Sequence, residues 1–228
     1  MLHEWSTMTF LHWPYRPSVV QRLLPGSLEV ESVGGQAWVG LLPFRMRDVR
    51  IPGLPAAPWL SQFPETNVRT YVRGPDGQSG IWFFSLDAAR LPAVLAARTT
   101  YWLRYFWAGM SVDEHGRRVR YHSRRRWPRS SGATCHAVVE VGDPFDVDEL
   151  GELDHFLTAR YVLYTLIAGR LVYAHAEHPP WPLTRARLVD LEENLISAAG
   201  LPAPEDQPLV HHSPGVPVRI SAWKPVPT

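Results

Sequence analysis

The sequence predicts an α+β domain, mostly antiparallel β with a few short helices, spanning residues 1–228 as one unit. Three observations predict it. The 22 Pro and 16 Gly are scattered along the chain, which favours many short strands and turns over long helices. Segments in which β-branched or aromatic residues alternate with polar ones recur, and that period of two is the mark of strands. Hydrophobic residues make up 45% of the chain, with 10 Trp, 8 Tyr and 8 Phe, enough for a full core and too many for a disordered segment.

Taken in order, a Trp-rich lead-in is followed by "RPSVVQRLLPG", a short helix from Pro17 stopped by Pro25-Gly26. "SLEVESV", a Gly34-Gly35 turn and "QAWVGLLPFRMRDVRI" read as strands, with Pro43 marking a bulge or an edge. Residues 52–64 are a Pro-rich connection long enough to act as a lid. "PETNVRTYVRG" then pairs with "SGIWFFSLDAA" through the hairpin loop "GPDGQ". "AARLPAVLAARTTYW" has Leu91, Val94, Leu95 and Arg98 at helical spacing. Strands resume with "LRYFWAGMSV", "RRVRYHSRRRW" and "GATCHAVVEVG", and "DVDELGELDHFLTARYVLY" reads as one helix capped by Asp146 or Asp148. A hairpin turning at Ala168-Gly169, the segment "LVYAHAEHPPWPL", an ambiguous stretch over 184–199 and the strand "VPVRISAW" complete the chain. Together these imply an antiparallel, barrel-like sheet with flanking helices.

Composition narrows the function classes. No run approaches the roughly 18 apolar residues of a membrane span, and "MLHEWSTMTFLHWPYRP" has no basic segment followed by an apolar one; a soluble, cytoplasmic protein is expected. The formal net charge of +1 gives no overall pull on nucleic acid or a membrane surface. Cys135 stands alone inside the strand-like "ATCHAVVEV", which excludes an internal disulfide and points to a buried, inert thiol. The cations are Arg apart from Lys224, near the C-terminus.

The stretch Arg117–Arg129 holds seven Arg with aromatics between them, a pattern that can bind phosphates and stacked bases. Alternation of Arg118, Arg120, His122, Arg124 and Arg126 on one strand face is also what a solvated face shows, so no nucleic-acid partner is expected. His175, Glu177, His178, His211 and His212 could in principle hold zinc, but their spacing matches no ligand motif and no metal is expected. Ser85 in "FFSLDA" lacks the glycines of a nucleophile elbow, and no phosphate-binding Gly-rich loop is present.

The carboxylates carry more chemistry. With a period of two, Glu65, Asn67, Arg69 and Tyr71 share one face of their strand, and Thr66, Val68, Thr70 and Val72 share the other. The first face is either wet or aimed into a cavity. On the partner strand Ile81, Phe83, Ser85 and Asp87 share a face, and a hairpin brings Glu65 and Asp87 to the same end of the sheet. Two such carboxyls serve as general acid and base when burial separates their pKa values; the alternative is a structural network in which they pair with Arg69 and Arg98.

"HWPYRP", "AWVGLLPFRMRDVR", "PETNVRTYV", "GIWFFSLDA", "LTARYVLY" and "HPPWPL", in this order, resemble the YqjF-like family, a domain of unknown function in the acetoacetate decarboxylase-like superfamily. The resemblance runs from about His12 to the C-terminus. It implies a closed, cone-like antiparallel β-barrel around a pocket, often assembled into homo-oligomers, and it carries no reaction of its own. The decarboxylase branch forms a Schiff base through a Lys activated by a neighbouring cation. Arg104 and Tyr105 of "YWLRYFW" occupy the place where that Lys is expected, and a guanidinium cannot act as a Schiff-base amine. The family pattern reads Leu-Pro-Tyr there, so Tyr105 fits it and Arg104 departs from it.

The expectation is therefore a pocket for a small organic ligand, anionic or carbonyl-bearing, with acid/base chemistry and no cofactor. Glu65 or Asp87 moves a proton, Arg69 or Arg104 holds an anionic group through forked hydrogen bonds, and Tyr105 donates to a developing oxyanion. Asn67, Tyr71, Ser85, Arg98 and Tyr101 complete the binding surface, and His178 and Trp181 line the mouth. The rival expectations are a binding module without turnover, and a structural barrel filled by its own side chains.

Overall fold

The computed structural model describes residues 1–228 apart from 51, 54, 58, 129–131 and 228. The Trp-rich lead-in is itself a strand, β1 (Leu2–Tyr15), where the sequence suggested only an approach to the first helix. α1 (Pro17–Gln21) follows, then the short strands β2 (Glu29–Val30) and β3 (Ser32–Val33), and the long β4 (Gln36–Arg50). β1 pairs with β4 through an irregularity between Ser6 and Leu11, where five steps of β1 oppose four of β4 and Thr7 takes a φ of 48°. Pro43, which has no N–H to give to a ladder, lies opposite that bulge. The connection expected to be a lid follows, and its residues 54 and 58 lie outside the described residues.

β5 (Phe63–Arg73) and β6 (Ser79–Ala88) form the expected hairpin, and α2 (Leu91–Thr100) leads to β7 (Tyr105–His115), β8 (Arg118–Trp127) and β9 (Thr134–Pro144). The stretch expected as one helix is broken. A 3₁₀ turn covers Val147–Glu149, and Leu150 is extended. α3 (Glu152–Thr158) then starts at Gly151, whose N–H donates to Asp154 Oδ2 at 2.8 Å. "RYVLY" leaves the helix and enters β10 (Val162–Ile167), as its β-branched and aromatic residues favour. β10 turns at Ala168-Gly169, with φ of 50° and 78°, into β11 (Arg170–Glu177). Two positive φ values in a two-residue loop match the right-handed twist of a hairpin. The ambiguous stretch resolves into β12 (Thr184–Glu193) and α4 (Leu195–Ala198), and the chain ends in β13 (Leu209–Ile220) and β14 (Lys224–Pro225).

The result is a mostly antiparallel, sheet-rich fold with few helices. β13, β1, β4, β5 and β6 form a trunk of neighbouring strands. β6 forks: its Ile81-Trp82 stretch pairs with β10 and its Leu86–Ala88 end with β7, both parallel. One path runs through β7, β8, β9 and β12 to the start of β13, and the other through β10 and β11 to its end. The trunk is thereby covered on both sides. Leu11, Val39, Leu41, Val68, Val72 and Phe84 belong to one apolar cluster, and Met8, Phe10, Leu42, Phe44, Phe83 and Leu163 to the other. At roughly 1.5–3 kcal/mol for each large apolar side chain taken from water, two such clusters hold the trunk from both faces. No helix among the described residues is long and apolar enough to cross a membrane.

Candidate functional site

β5 runs between the two clusters, so neither of its faces is wet. Thr66, Thr70, Val68 and Val72 are buried on one side, while Glu65, Asn67 and Arg69 line a cavity of about 200 Å³ on the other. Tyr71 continues their row, fully buried behind the wall. The cavity lies among β1, β4, β5, β6 and α2, and its remaining walls are largely apolar, with Met8, Phe44, Phe63, Phe83 and Leu86 prominent.

Glu65 is 3% exposed, and the only hydrogen-bond partner of its carboxyl group among the described residues is Tyr105, whose hydroxyl donates to Oε2 at 3.0 Å. Burial pushes the carboxyl up to about 8, against the smaller lowering by the Tyr105 bond and with a small further push from Asp87. The neutral acid therefore dominates at pH 7. Burial and the adjacent Glu65 hold the Tyr105 phenol well above its usual range, so it serves as a donor.

Arg69 contrasts with it. Its guanidinium is buried, donates from Nη2 to Leu157 O at 3.1 Å and to the Tyr71 hydroxyl at 3.3 Å, and leaves Nε without a partner. No carboxylate pairs with it among the described residues. Tyr71 fixes this corner: its hydroxyl donates to Leu157 O at 2.7 Å and lies 2.6 Å from His12 Nε2. Leu157 is in the last turn of α3, whose carbonyls favour a cation. Arg160, just beyond that helix, also lines the cavity, but it is compensated. Its Nη2 lies 3.2 Å from Glu31 Oε2, and its guanidinium lies 4.3 Å from the centre of the Phe156 ring. Asn67 Oδ1 is buried and unpaired. Among the described residues the cavity is thus lined by a guanidinium with no carboxylate partner, a neutral acid and an amide oxygen with no donor, and by the terminal amine of Met1, which donates to Ile220 O.

An aromatic wall faces β5. Trp5 stacks on Trp181 with an interplanar angle of 7° and a centroid separation of 6.0 Å, and His178 lies against Trp181 at 5.1 Å. Burial lowers His3 to about 4, with a smaller contribution from the terminal amine, and burial lowers His178 as well. Neither ring adds a positive charge at neutral pH.

Of the residues singled out from the sequence, Glu65, Asn67, Arg69, Tyr101, Tyr105, His178 and Trp181 line the cavity. Ser85, Asp87, Arg98 and Arg104 do not. For Ser85 and Asp87 the cause is a slip of register. Val68 pairs with Ser85 but Arg69 with Phe83, so Phe84 is an extra residue, and the alternation of β6 reverses there. Ile81 and Phe83 therefore face the cavity, whereas Asp87 turns to the other side. It meets Arg125 of β8, Nη2 to Oδ1 at 2.6 Å, with both side chains at most 3% exposed. The expected pairs are corrected accordingly: Glu65 bonds Tyr105, not Arg69, and Asp87 bonds Arg125, not Arg98. Arg98 donates to Tyr105 O at 2.6 Å and lies over Trp127. Arg104 is exposed.

Trp5, His3, Arg160, Trp223 and the alanines of α2 also line the cavity and were not singled out from the sequence. Arg125 could have been found, since it is in phase with Val119, Tyr121 and Ser123, on the buried face of β8. Arg118, Arg120, His122, Arg124 and Arg126 form the exposed face of that strand. The remaining histidines are dispersed, with His211 Nε2 on Asp154 at 2.9 Å and His212 Nδ1 on Thr9 at 3.1 Å. Cys135 is buried, and burial raises its thiol pKa. Lys224 is exposed on β14.

Comparison with known proteins agrees with this architecture. The model of the DUF2071 family, described as an uncharacterized conserved protein (COG2071), matches residues 3–217. "Uncharacterized protein YqjF" of Bacillus subtilis (strain 168) is 38% identical over 214 residues, covering 93% of this chain and 87% of that protein. Among solved structures, the enduracididine biosynthesis enzyme MppR complexed with pyruvate superposes with a TM-score of 0.66 at 13% identity, over 98% of this chain and 89% of the other. An acetoacetate decarboxylase-like enzyme from Sphingomonas wittichii RW1 superposes with a TM-score of 0.64 at 13% identity, over 99% and 92% of the two chains. These likenesses show an acetoacetate decarboxylase-like fold.

Proposed function

The chain belongs to the DUF2071 family, and from that premise we propose that its cavity binds a small organic acid or carbonyl compound and moves a proton on it. The observation that carries this reading is Arg69, a buried cation with no carboxylate partner among the described residues and with Nε unpaired. An uncompensated buried charge is costly, and an anionic ligand is what relieves it. The pyruvate bound to MppR, a 2-oxo acid held by the same fold, supports the choice of ligand class.

Glu65 is the proton carrier in this reading. A carboxyl near 8 populates both forms around neutrality, which suits general acid/base work. As carboxylate it takes a proton from the carbon beside the ligand's carbonyl. The electron pair of that C–H bond forms the C=C bond of an enolate while the carbonyl π pair moves onto the oxygen, and the Tyr105 hydroxyl stabilises the oxyanion. Return of the proton closes the cycle without any covalent intermediate. No lysine lines the cavity, so the Schiff-base route is not part of the reading. The return of the strand path through β5 and β6 supports a closed, cone-like barrel comprising one domain.

A second reading, binding without turnover, is favoured by the unpaired Asn67 Oδ1 and Arg69 Nε, which a ligand satisfies whether or not it reacts. Deuterium exchange at the methyl group of pyruvate, followed by proton NMR, separates the two. The first reading predicts exchange catalysed by the wild type and slowed about 100-fold or more in Glu65→Gln, with pyruvate affinity largely kept. Binding without exchange supports the second, and exchange unaltered in Glu65→Gln rejects the proton-transfer role.

A further inference from the structure

We infer that the ligand is a monocarboxylate with a short apolar chain, its head held deep at Arg69 and its chain running along β5 to a ruler of alanines on α2. This rests on the reading that Arg69 receives an anion. It adds the rest of the molecule and the direction in which it lies.

The two ends of the cavity differ in kind. Arg69 and Glu65 are four residues apart on one strand face, about 13 Å along β5. The Arg69 end is deep: its guanidinium is 5% exposed and tied to the end of α3. At the other end Ala89 N–H donates to Pro64 O at 3.2 Å, which brings the start of α2 beside the start of β5. There α2 presents Ala93, Ala96 and Ala97, at positions i, i+3 and i+4 of one helix face. Ala93 and Ala97 are half-buried and Ala96 is exposed, so this face forms the rim. The larger neighbours turn away: Leu95 is exposed, and Arg98 reaches Tyr105 O and Trp127. Phe63, Leu103 and Trp223 complete an apolar mouth.

The alanines of α2, with Phe63, Leu103 and Trp223, offer nothing to a second charge. His3, which also lines the cavity, is neutral near pH 7. A dicarboxylate of matching length would bury an unpaired anion against the alanines. Small side chains on the lining face of α2 leave the space that an alkyl chain fills, and a volume of about 200 Å³, below the usual 300–1,000 Å³ of drug-sized sites, limits that chain to a single unbranched one that ends at the alanines.

The test is calorimetric titration of the wild type with straight-chain monocarboxylates from acetate to octanoate, and with dicarboxylates of matching length. Affinity should rise about fourfold for each added methylene, then level off once the chain passes the rim, and each dicarboxylate should bind more weakly than its monocarboxylate counterpart. In Ala97→Leu, a change a half-exposed helix position accepts readily, the levelling should come at a shorter chain while acetate binds as before. Affinity independent of chain length, or dicarboxylates binding as tightly, overturns the ruler and leaves the anion site standing. No binding of any carboxylate overturns both.

Discussion

Glu65 and Arg69 show how one environment treats two ionisable groups differently. A buried carboxyl can escape its desolvation cost by keeping a proton, and Glu65 does so; a guanidinium has no such escape. The consequence for stability has a definite sign. The folded pKa of Glu65, about 8, lies above the ordinary 4.5, so from pH 4.5 upward the unfolded chain binds fewer protons than the folded one. Stability should fall as pH rises from about 4.5 to about 8, with a slope of up to about 1.4 kcal/mol per pH unit from this group. Urea denaturation of the wild type and Glu65→Gln across pH 5–9 should show that component in the wild type and its loss in the variant. Parallel profiles would contradict the assignment. The period of two in "PETNVRTYVRG" made the shared face of Glu65, Asn67 and Arg69 legible. Whether that face was wet was not legible, because it depends on β1 and α2, which lie far off in sequence.

At the scale of elements, Phe84 is the residue that the pattern of alternation could not supply. A bulge leaves no mark when apolar residues fill both faces, and "IWFFSL" reads the same with or without one. The bulge gives Asp87 to Arg125 and keeps it from the cavity. The pair is buried, so removing one partner should cost far more than removing both. Arg125→Met should destabilise the protein by about 3–5 kcal/mol, and Arg125→Met with Asp87→Leu should recover most of that loss in urea denaturation. Equal losses in single and double variants would show that packing of Arg125 on Phe106, with the guanidinium 3.6 Å from the ring centre, matters more than charge. The broken helix has a plainer cause. Gly151 interrupts the helical run and "RYVLY" has strand composition; the sequence carried both signals, and the capping residues Asp146 and Asp148 outweighed them.

At the scale of the whole molecule, the forks at β6 and β13 explain why strands were easier to find than their arrangement. Local pattern marks β5, β6, β8 and β9, but the parallel pairings of β6 with β7 and β10 join segments that no turn connects. β1 was hidden for a related reason. As a central trunk strand it is buried almost continuously from Ser6 to Trp13, and such strands lack alternation. The same trunk gives the cavity its character, since covering β5 on both faces is what buries Arg69. Native mass spectrometry of the wild type and Arg69→Met, with and without added butyrate and with identification of any released compound, tests that most directly. The wild type should carry a small carboxylate, or take up butyrate, and Arg69→Met should do neither while remaining folded. A wild type that stays empty with butyrate present, or an Arg69→Met protein that holds the same acid, would contradict it.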